Sequence, residues 1–318
     1  MNHKAKHYLV VFLKYALFWV CLYYLYVYLL KFEIDLLLIK FSLKEKNVAQ
    51  LTFIIFTLIL CTCFNWFFEV LKWQKLVKTI QELSFKSAFK ISLVGHCLSM
   101  ITPAKTGDFM AKIYFHKNTK AIIPLNLFHQ YSQLLATLLV GALFLFFFPE
   151  FKWIFNKIPF PEKTYPFLLG LGLLSLTVFI MLKKKLIAPV YHWLNKNIKT
   201  ALEVQVYAFL KYFSFSIQYL ILLVFFEVEA SNLVLLAAIS ITYLLASLIP
   251  ANLIVDIGIK TTWGIVLFGY LGVEASVIVF ISFSMWVLNF AIPALLGGLF
   301  ILKSKPKLNQ LVNQPKWS

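Results

Sequence analysis

The sequence predicts an all-α integral membrane protein with about eight transmembrane helices and two broken or re-entrant segments, near residues 87–116 and 250–260. Three observations lead there. Hydrophobic residues make up 61% of the 318 positions and charged residues only 14%, against about half and about a quarter in soluble domains. Mean hydropathy is +0.82. Apolar runs of about 20 residues, the length that crosses ~30 Å of hydrocarbon, recur along the whole chain. The polar stretches between them are too short to bury a core, so no soluble catalytic domain is expected.

The runs fall at about 9–30, 48–71, 122–148, 166–182, 204–226, 232–249, 257–273 and 276–302. The first follows Lys4 and Lys6. It is too long for the apolar region of a signal peptide and no small-x-small cleavage site follows, so it reads as an uncleaved span. Residues 87–116 are half apolar and interrupted. Residues 186–200, with Tyr191 and Trp193, suit a helix lying in the headgroup region. The whole chain reads as one polytopic domain, with motif halves at about 1–148 and 166–302 and a basic tail at 303–318.

The net charge is +17, and every basic residue is lysine. Strong basicity can indicate nucleic acid, but these lysines flank apolar runs instead of forming a basic domain. No nucleic-acid partner is expected. With the N-terminus inside and eight alternating spans, the lysines of 72–120, of 183–199 and of the C-terminal tail share one side. That asymmetry predicts a plasma (bacterial inner) membrane protein with both termini cytoplasmic.

A near-repeat carries the chemistry. Residues 99–112 read S-M-I-T-P-A-K-T-G-D-F-M-A-K, and residues 247–260 read S-L-I-P-A-N-L-I-V-D-I-G-I-K. Each has serine, then Pro-Ala, then aspartate with lysine four residues later. Pro103 and Pro250 stop helices, lacking the N–H and clashing with the preceding turn. Gly107 and Gly258 permit unusual backbone or close packing. Asp108–Lys112 and Asp256–Lys260 are spaced to close on one helical face, each aspartate near the positive end of a new helix. Either copy alone reads as a loop proline with an interfacial ion pair. Both together read as a site, because paired interruptions in two halves of a transporter mark where substrate binds and an intramembrane charge costs on the order of 3 kcal/mol. The expected substrate-binding residues are Pro103, Lys105, Gly107, Asp108, Lys112, Pro250, Asp256, Gly258 and Lys260.

These stretches resemble the transmembrane region of the lysylphosphatidylglycerol synthase/flippase family, as a standalone member without the aminoacyl-transferase domain. Asn65 and Lys72-Trp73 resemble the family's early N-x(n)-R-W element. Pro103, Gly107, Asp108 and Lys112 resemble its P-x-x-x-G-[DE] motif with a following base. Pro250, Asp256, Gly258, Lys260 and Leu271-Gly272 resemble a later P-x(n)-[DE]-x-G element and the short span ending in Leu-Gly. Lysine stands where the family usually has arginine, and Ala251-Asn252 replace an expected glycine pair. The resemblance implies a translocator of a membrane phospholipid or a polyprenyl-linked lipid, with Lys105, Lys112 and Lys260 meeting phosphate as point charges.

Other polar residues read two ways. Asn126, Gln130, Gln133 and Thr137 form a helical stripe, as do Lys211, Ser214 and Gln218; each lines a cavity or serves as interhelical glue. Asn65 and Glu69 read as the end of a helix at the interface. His96 is a proton relay or a structural residue. The four cysteines lie in apolar segments without zinc spacing and read as inert thiols. No phosphate-binding loop, serine elbow or zinc-protease motif occurs, so neither metal nor cofactor is expected. A transporter-like protein is expected in preference to an enzyme. A membrane-embedded transferase using Asp108 as base, a homo-oligomer, and a non-catalytic partner of a separate membrane enzyme stay open.

Overall fold

A computed structural model describes residues 47–102, 106–116, 119–152, 188–249 and 253–303. The described residues hold nine α-helices and one short 3-10 turn, Pro149–Lys152. The helices are α1 (Val48–Lys78), α2 (Phe85–Ile101), α3 (Thr106–Tyr114), α4 (Thr119–Phe147), α5 (Ala188–Lys196), α6 (Ile198–Phe225), α7 (Asn232–Ser247), α8 (Leu253–Tyr270) and α9 (Ala275–Lys303). A π-helical turn, Val287–Ala291, interrupts α9.

Local chemistry sets several of these starts. Asn47 accepts from the Gln50 N–H at 2.8 Å while the Gln50 side chain accepts from the Asn47 N–H, a reciprocal cap on α1. Ser84 and Ser231 cap α2 and α7 in the simpler way.

Four of the nine are long and apolar enough to cross a membrane: α1, α4, α6 and α9. At 1.5 Å per residue, the 31 residues of α1 run about 46 Å. Apolar residues occupy both faces of α6. Ala201, Val204, Ala208, Tyr212, Tyr219 and Leu222 are buried, while Leu202, Val206, Leu210, Phe213, Ile217 and Val224 are exposed at helical spacing on the other side. A helix apolar all round, with one stripe turned outward, is built for lipid.

The expected count of about eight spans is therefore corrected to four among the described residues. Two of the expected eight, at 9–30 and 166–182, lie outside them. The expected span at 232–249 is α7, whose 16 residues reach only about 24 Å. The expected span at 257–273 is α8, which carries Asp256 and Lys260 in its first two turns. Apolar content alone overcounts because short helices packed inside a bundle are as apolar as those that face lipid.

Helices α1 and α6 are the central antiparallel pair. Thr62 meets Gln218, Glu69 meets Lys211, and Lys75 meets Glu203. Helix α4 packs against α6 and α7, and the N-terminal part of α9 against α6 and α8. Both expected breaks fall between helices that pack on each other, α2 with α3 and α7 with α8. Pro103, Lys105 and Pro250 lie outside the described residues.

Two close approaches fix this arrangement. A Cβ on Gly107 would collide with the backbone of Leu98, so only glycine lets α3 lie on α2 there. A Cβ on Gly297 would collide with the carbonyl of Leu93, which brings α9 equally close to α2. Gly258 differs: it is exposed, and a Cβ there meets nothing.

Charge is polarised along the bundle. The end formed by the C-terminus of α1, by α5 and by the start of α6 holds Lys75, Lys78, Lys196 and Lys199. Lys90 lies 5.8 Å from the Phe300 ring, which brings the end of α9, with Lys303, to this same end. At the other end Glu150, Glu227, Glu229 and Glu274 are all exposed.

Gly297→Ala should force α9 off α2 and cost about 1–3 kcal/mol. The measurement is thermal unfolding of the purified chain in mild detergent. Gly269→Ala, where an added Cβ meets nothing, should leave the midpoint unchanged.

Candidate functional site

Six side chains from four helices meet inside the bundle. Glu69 of α1 is their centre. One of its oxygens, Oε2, lies 2.7 Å from Lys211 Nζ of α6 and 3.6 Å from Lys72 Nζ, one turn along α1. The other, Oε1, lies 3.5 Å from His129 Nε2 of α4. His129 Nδ1 lies 3.2 Å from Lys112 Nζ of α3, and Lys112 pairs with Asp108 at 2.7 Å. Lys72 donates to Gln133 Oε1 at 3.2 Å, and the Lys112 ammonium sits 4.8 Å from the centre of the Trp73 ring.

The cluster has a closed floor and an accessible rim. Lys72 and Lys112 are fully buried. The side chains of Glu69, Asp108 and Lys211 keep about a fifth of their surface, at 19%, 19% and 23%. Three lysines thus face two carboxylates, and the contact of Lys72 with Glu69 is the longest of the three lysine–carboxylate pairs.

Local sequence explains how α3 presents its pair. Asp108 is the third residue of its helix. The N–H of Gly107 donates to Thr102 Oγ1 at 2.7 Å and that of Asp108 to Ser99 Oγ at 2.8 Å. Two of the freed donors at the start of α3 are thus satisfied by the two hydroxyls at the end of α2. Asp108 also lies against Gly95 of α2, where a Cβ would meet its carboxylate.

The second pair sits in a different neighbourhood. Lys260 Nζ lies 2.8 Å from Asp256 Oδ2 and 5.6–5.8 Å from the ring centres of Phe290, Tyr243 and Phe215. A small pocket opens there. Helix α3 packs on α2 and α4, whereas α8 packs on α7, α9 and α2. What joins the two neighbourhoods is aromatic. His96, next to Gly95, stacks on Phe290 at 5.4 Å and meets Trp66 edge-on at 5.1 Å. On α6, Lys211 of the first site and Phe215 of the second are four residues apart, hence on one face and about 6 Å apart along the axis.

Between the sites runs a ladder of buried amides. Asn65 Nδ2 donates to Asn289 Oδ1 at 2.7 Å, Asn289 Nδ2 donates to Gln218 Oε1 at 2.8 Å, and Gln218 Nε2 donates to Thr62 Oγ1 and the Leu58 carbonyl. Asn289 lies in the π turn of α9, and its carbonyl accepts from Trp66 Nε1 at 3.3 Å.

Several sequence readings thus resolve. Glu69 is the hub of a buried network and not a helix-end acid at the interface. The stripe of Lys211, Ser214 and Gln218 divides: Lys211 joins the charged site, Gln218 is interhelical glue, and Ser214 bonds back to its own helix. In the other stripe Gln133 holds Lys72, Gln130 faces outward, and Asn126 is fully buried with no hydrogen bond among the described residues. Sequence reasoning missed His129. The signal was its position four residues before Gln133, on the same face of α4. Cys61, Cys63 and Cys97 form no disulfide among the described residues; Cys21 lies outside them.

The fold and these sites define a class: a helical protein with the build of a multi-pass membrane protein, carrying charged sites inside its bundle. Neither a family model, nor a curated protein, nor a solved structure matches the chain.

Beside the first site, in the turn after α3, His116 is buried and its Nδ1 lies 2.6 Å from Gln81 Nε2. Burial, aided by the nearby Lys112 charge, pushes its imidazole down to about 4 from an ordinary 6.5. The neutral ring accepts from the Gln81 amide; the protonated ring cannot. Between pH 6.5 and 4 the unfolded chain binds the extra proton, so stability should fall as pH drops through that window, by up to about 3 kcal/mol. Thermal unfolding of wild type and His116→Gln across this range should show a shallower pH dependence in the variant.

Proposed function

We propose that the chain moves a phosphate-bearing lipid headgroup across the membrane. The observation that carries this reading is the buried cluster of Lys72, Lys112 and Lys211 against Glu69 and Asp108, three lysines to two carboxylates within a bundle of membrane-length helices. Charges inside a membrane bundle mark substrate pathways. Lysine ammoniums meet phosphate as mobile point charges and not as rigid forks, which suits a ligand that must be bound and then released. The ordered motifs that resemble the lysylphosphatidylglycerol synthase/flippase region support the same reading. An embedded transferase is less well supported, because Asp108, its would-be base, is held by Lys112.

The accessible rim would receive the phosphate above the buried Lys72 and Lys112. Of the expected residues, Asp108 and Lys112 belong to this site in our reading. Asp256 and Lys260 form a second station along the path. The lysine-rich end is placed in the cytoplasm, following the bias of cytoplasmic loops toward lysine.

Reconstitution into liposomes tests the reading. Fluorescent phosphatidylglycerol and a polyprenyl phosphate analogue should each be assayed for bleaching by an outside reductant. The protein should accelerate movement of at least one, and Lys72→Gln should slow it about tenfold or more, the loss of one charge-assisted contact of about 1.5–3 kcal/mol. Rates equal to those of empty vesicles for every headgroup class would refute it. For orientation, single cysteines at Lys196 and Glu227 should label from the cytoplasmic and the outer side respectively, in intact cells against inverted vesicles.

A further inference from the structure

We infer that His129 is a proton-binding site coupled to the charged cluster, so that a phosphate-bearing headgroup binds together with a proton. The inference rests on the headgroup reading above and adds a coupling ion to it.

The geometry around the ring carries it. His129 is 2% exposed and stands between the two halves of the network. Its Nδ1 lies 3.2 Å from Lys112 Nζ. Lys112 also reaches Asp108 at 2.7 Å and the Trp73 ring at 4.8 Å, the contacts of an ammonium, which only donates. Nδ1 is therefore the acceptor, and the neutral ring carries its hydrogen on Nε2. That nitrogen faces Glu69 Oε1 at 3.5 Å, beyond ordinary hydrogen-bond length, and makes no hydrogen bond among the described residues. Buried polar groups are nearly always partnered, so a buried donor held just short of a carboxylate marks a contact poised to close.

A second proton closes it. On Nδ1 it faces the Lys112 ammonium, donor against donor, and Lys112 turns to Asp108 alone. On the other side the imidazolium draws Glu69 into a charge-assisted bond. Glu69 then holds Lys211 less tightly, and Lys211 is the most exposed of the three lysines. It becomes free to meet a phosphate at the rim. Proton and phosphate bring one charge of each sign to one network, so each lowers the cost of the other. The proton has a route. Asp108 takes it at the rim, Lys112 passes one of its own to Nδ1, and Asp108 restores Lys112.

The other groups near the ring have partners of their own or lie apart. Lys72 and Lys211 are held at Glu69. Lys75 of α1 pairs with Glu203 of α6. His116 meets the far side of the Trp73 contact, bonded to Gln81. Of the remaining elements on α4, α5 has its Tyr191, His192 and Lys196 exposed, and α7 brings only Tyr243, packed on Tyr212, Phe215 and Tyr219. Glu150 and Lys152 sit past the opposite end of α4.

The test counts protons. The full chain, in mild detergent and weak buffer, receives short-chain phosphatidylglycerol, whose phosphodiester stays singly charged near neutral pH, while a pH-sensitive dye follows the solution. Wild type should take up protons as the lipid binds. By linkage, half a proton per headgroup makes affinity rise about threefold per unit as pH falls through about 8 to 5, where an imidazole changes charge. His129→Gln supplies the acceptor and donor of the neutral ring but no proton site, so it should remove the uptake and flatten the pH dependence. His116→Gln should keep both. If His129→Gln does not fold, infrared difference spectra of the wild type with ring-labelled histidine, taken on adding the lipid, read the imidazolium directly, and His116→Gln should retain that band. No uptake by the wild type at any lipid concentration, uptake unchanged in His129→Gln, or no imidazolium band overturns the inference. Headgroup movement in liposomes without proton uptake on binding sinks the coupling and leaves the transport reading. Uptake without movement sinks the transport reading and leaves the proton site standing.

Discussion

Everything in the inner bundle answers to the placement of one carboxylate. Glu69 sits six residues, about 9 Å along the axis, inside Lys75 at the lysine-rich end of α1. A carboxylate at that depth is tolerated only among cations and hydrogen bonds. Lys211 must therefore come from α6, and with it the antiparallel register of α1 and α6. Lys72 must turn inward and be held by Gln133, which fixes the rotation of α4. His129 must bridge to Lys112, which requires α3 to reach the same place. That in turn requires the turn after α2, the hydroxyls of Ser99 and Thr102 that satisfy it, and the glycines that let three helices approach closely. The geometry of the site and the packing of the fold share one cause.

Lysine as the sole cation shapes the behaviour of this network. A guanidinium would lock each carboxylate in a planar fork. Here Lys211–Glu69 and Lys112–Asp108 are single N–H···O bonds, and Lys72, Lys211 and His129 all approach the two oxygens of Glu69. Such a network can exchange partners without leaving a buried charge wholly bare. The second site holds its ammonium by rings and one carboxylate instead, an arrangement tuned to shape as much as to charge. The amide ladder between them, from Asn65 through Asn289 to Gln218, has no ionisable member.

Much of this was legible in the sequence, and the limits have physical reasons. Helices α1, α4, α6 and α9 announce themselves through length and apolarity. The interruption between α2 and α3 and both Asp–Lys pairs follow from proline and i,i+4 spacing. Span number was not legible, because α7 and α8 are apolar for burial inside protein, and apolarity does not distinguish protein from lipid. Glu69 looked like an interfacial acid because its partners come from residues 112, 129 and 211; only tertiary packing joins them. Lys112 was recognised for the aspartate four residues before it, yet its burial against Trp73 could not be read from spacing. The near-repeat also hides a difference: Gly107 is a contact residue and Gly258 is not.

The π turn at Val287–Ala291 has a consequence for how this chain can vary. Such a turn holds one residue more than the α-helical ladder needs, so it acts as a phase shift between the two segments of α9. Before it, Ile278, Ile281 and Met285 face the core; after it, Gly297 faces Leu93. Deleting one residue there would restore the regular helix with both segments still facing as they do, whereas deleting one from the α-helical stretch between Ile292 and Gly297 would turn Gly297 away from the Leu93 carbonyl by about 100°. The π turn is thus a place where α9 can lose a residue without turning its faces.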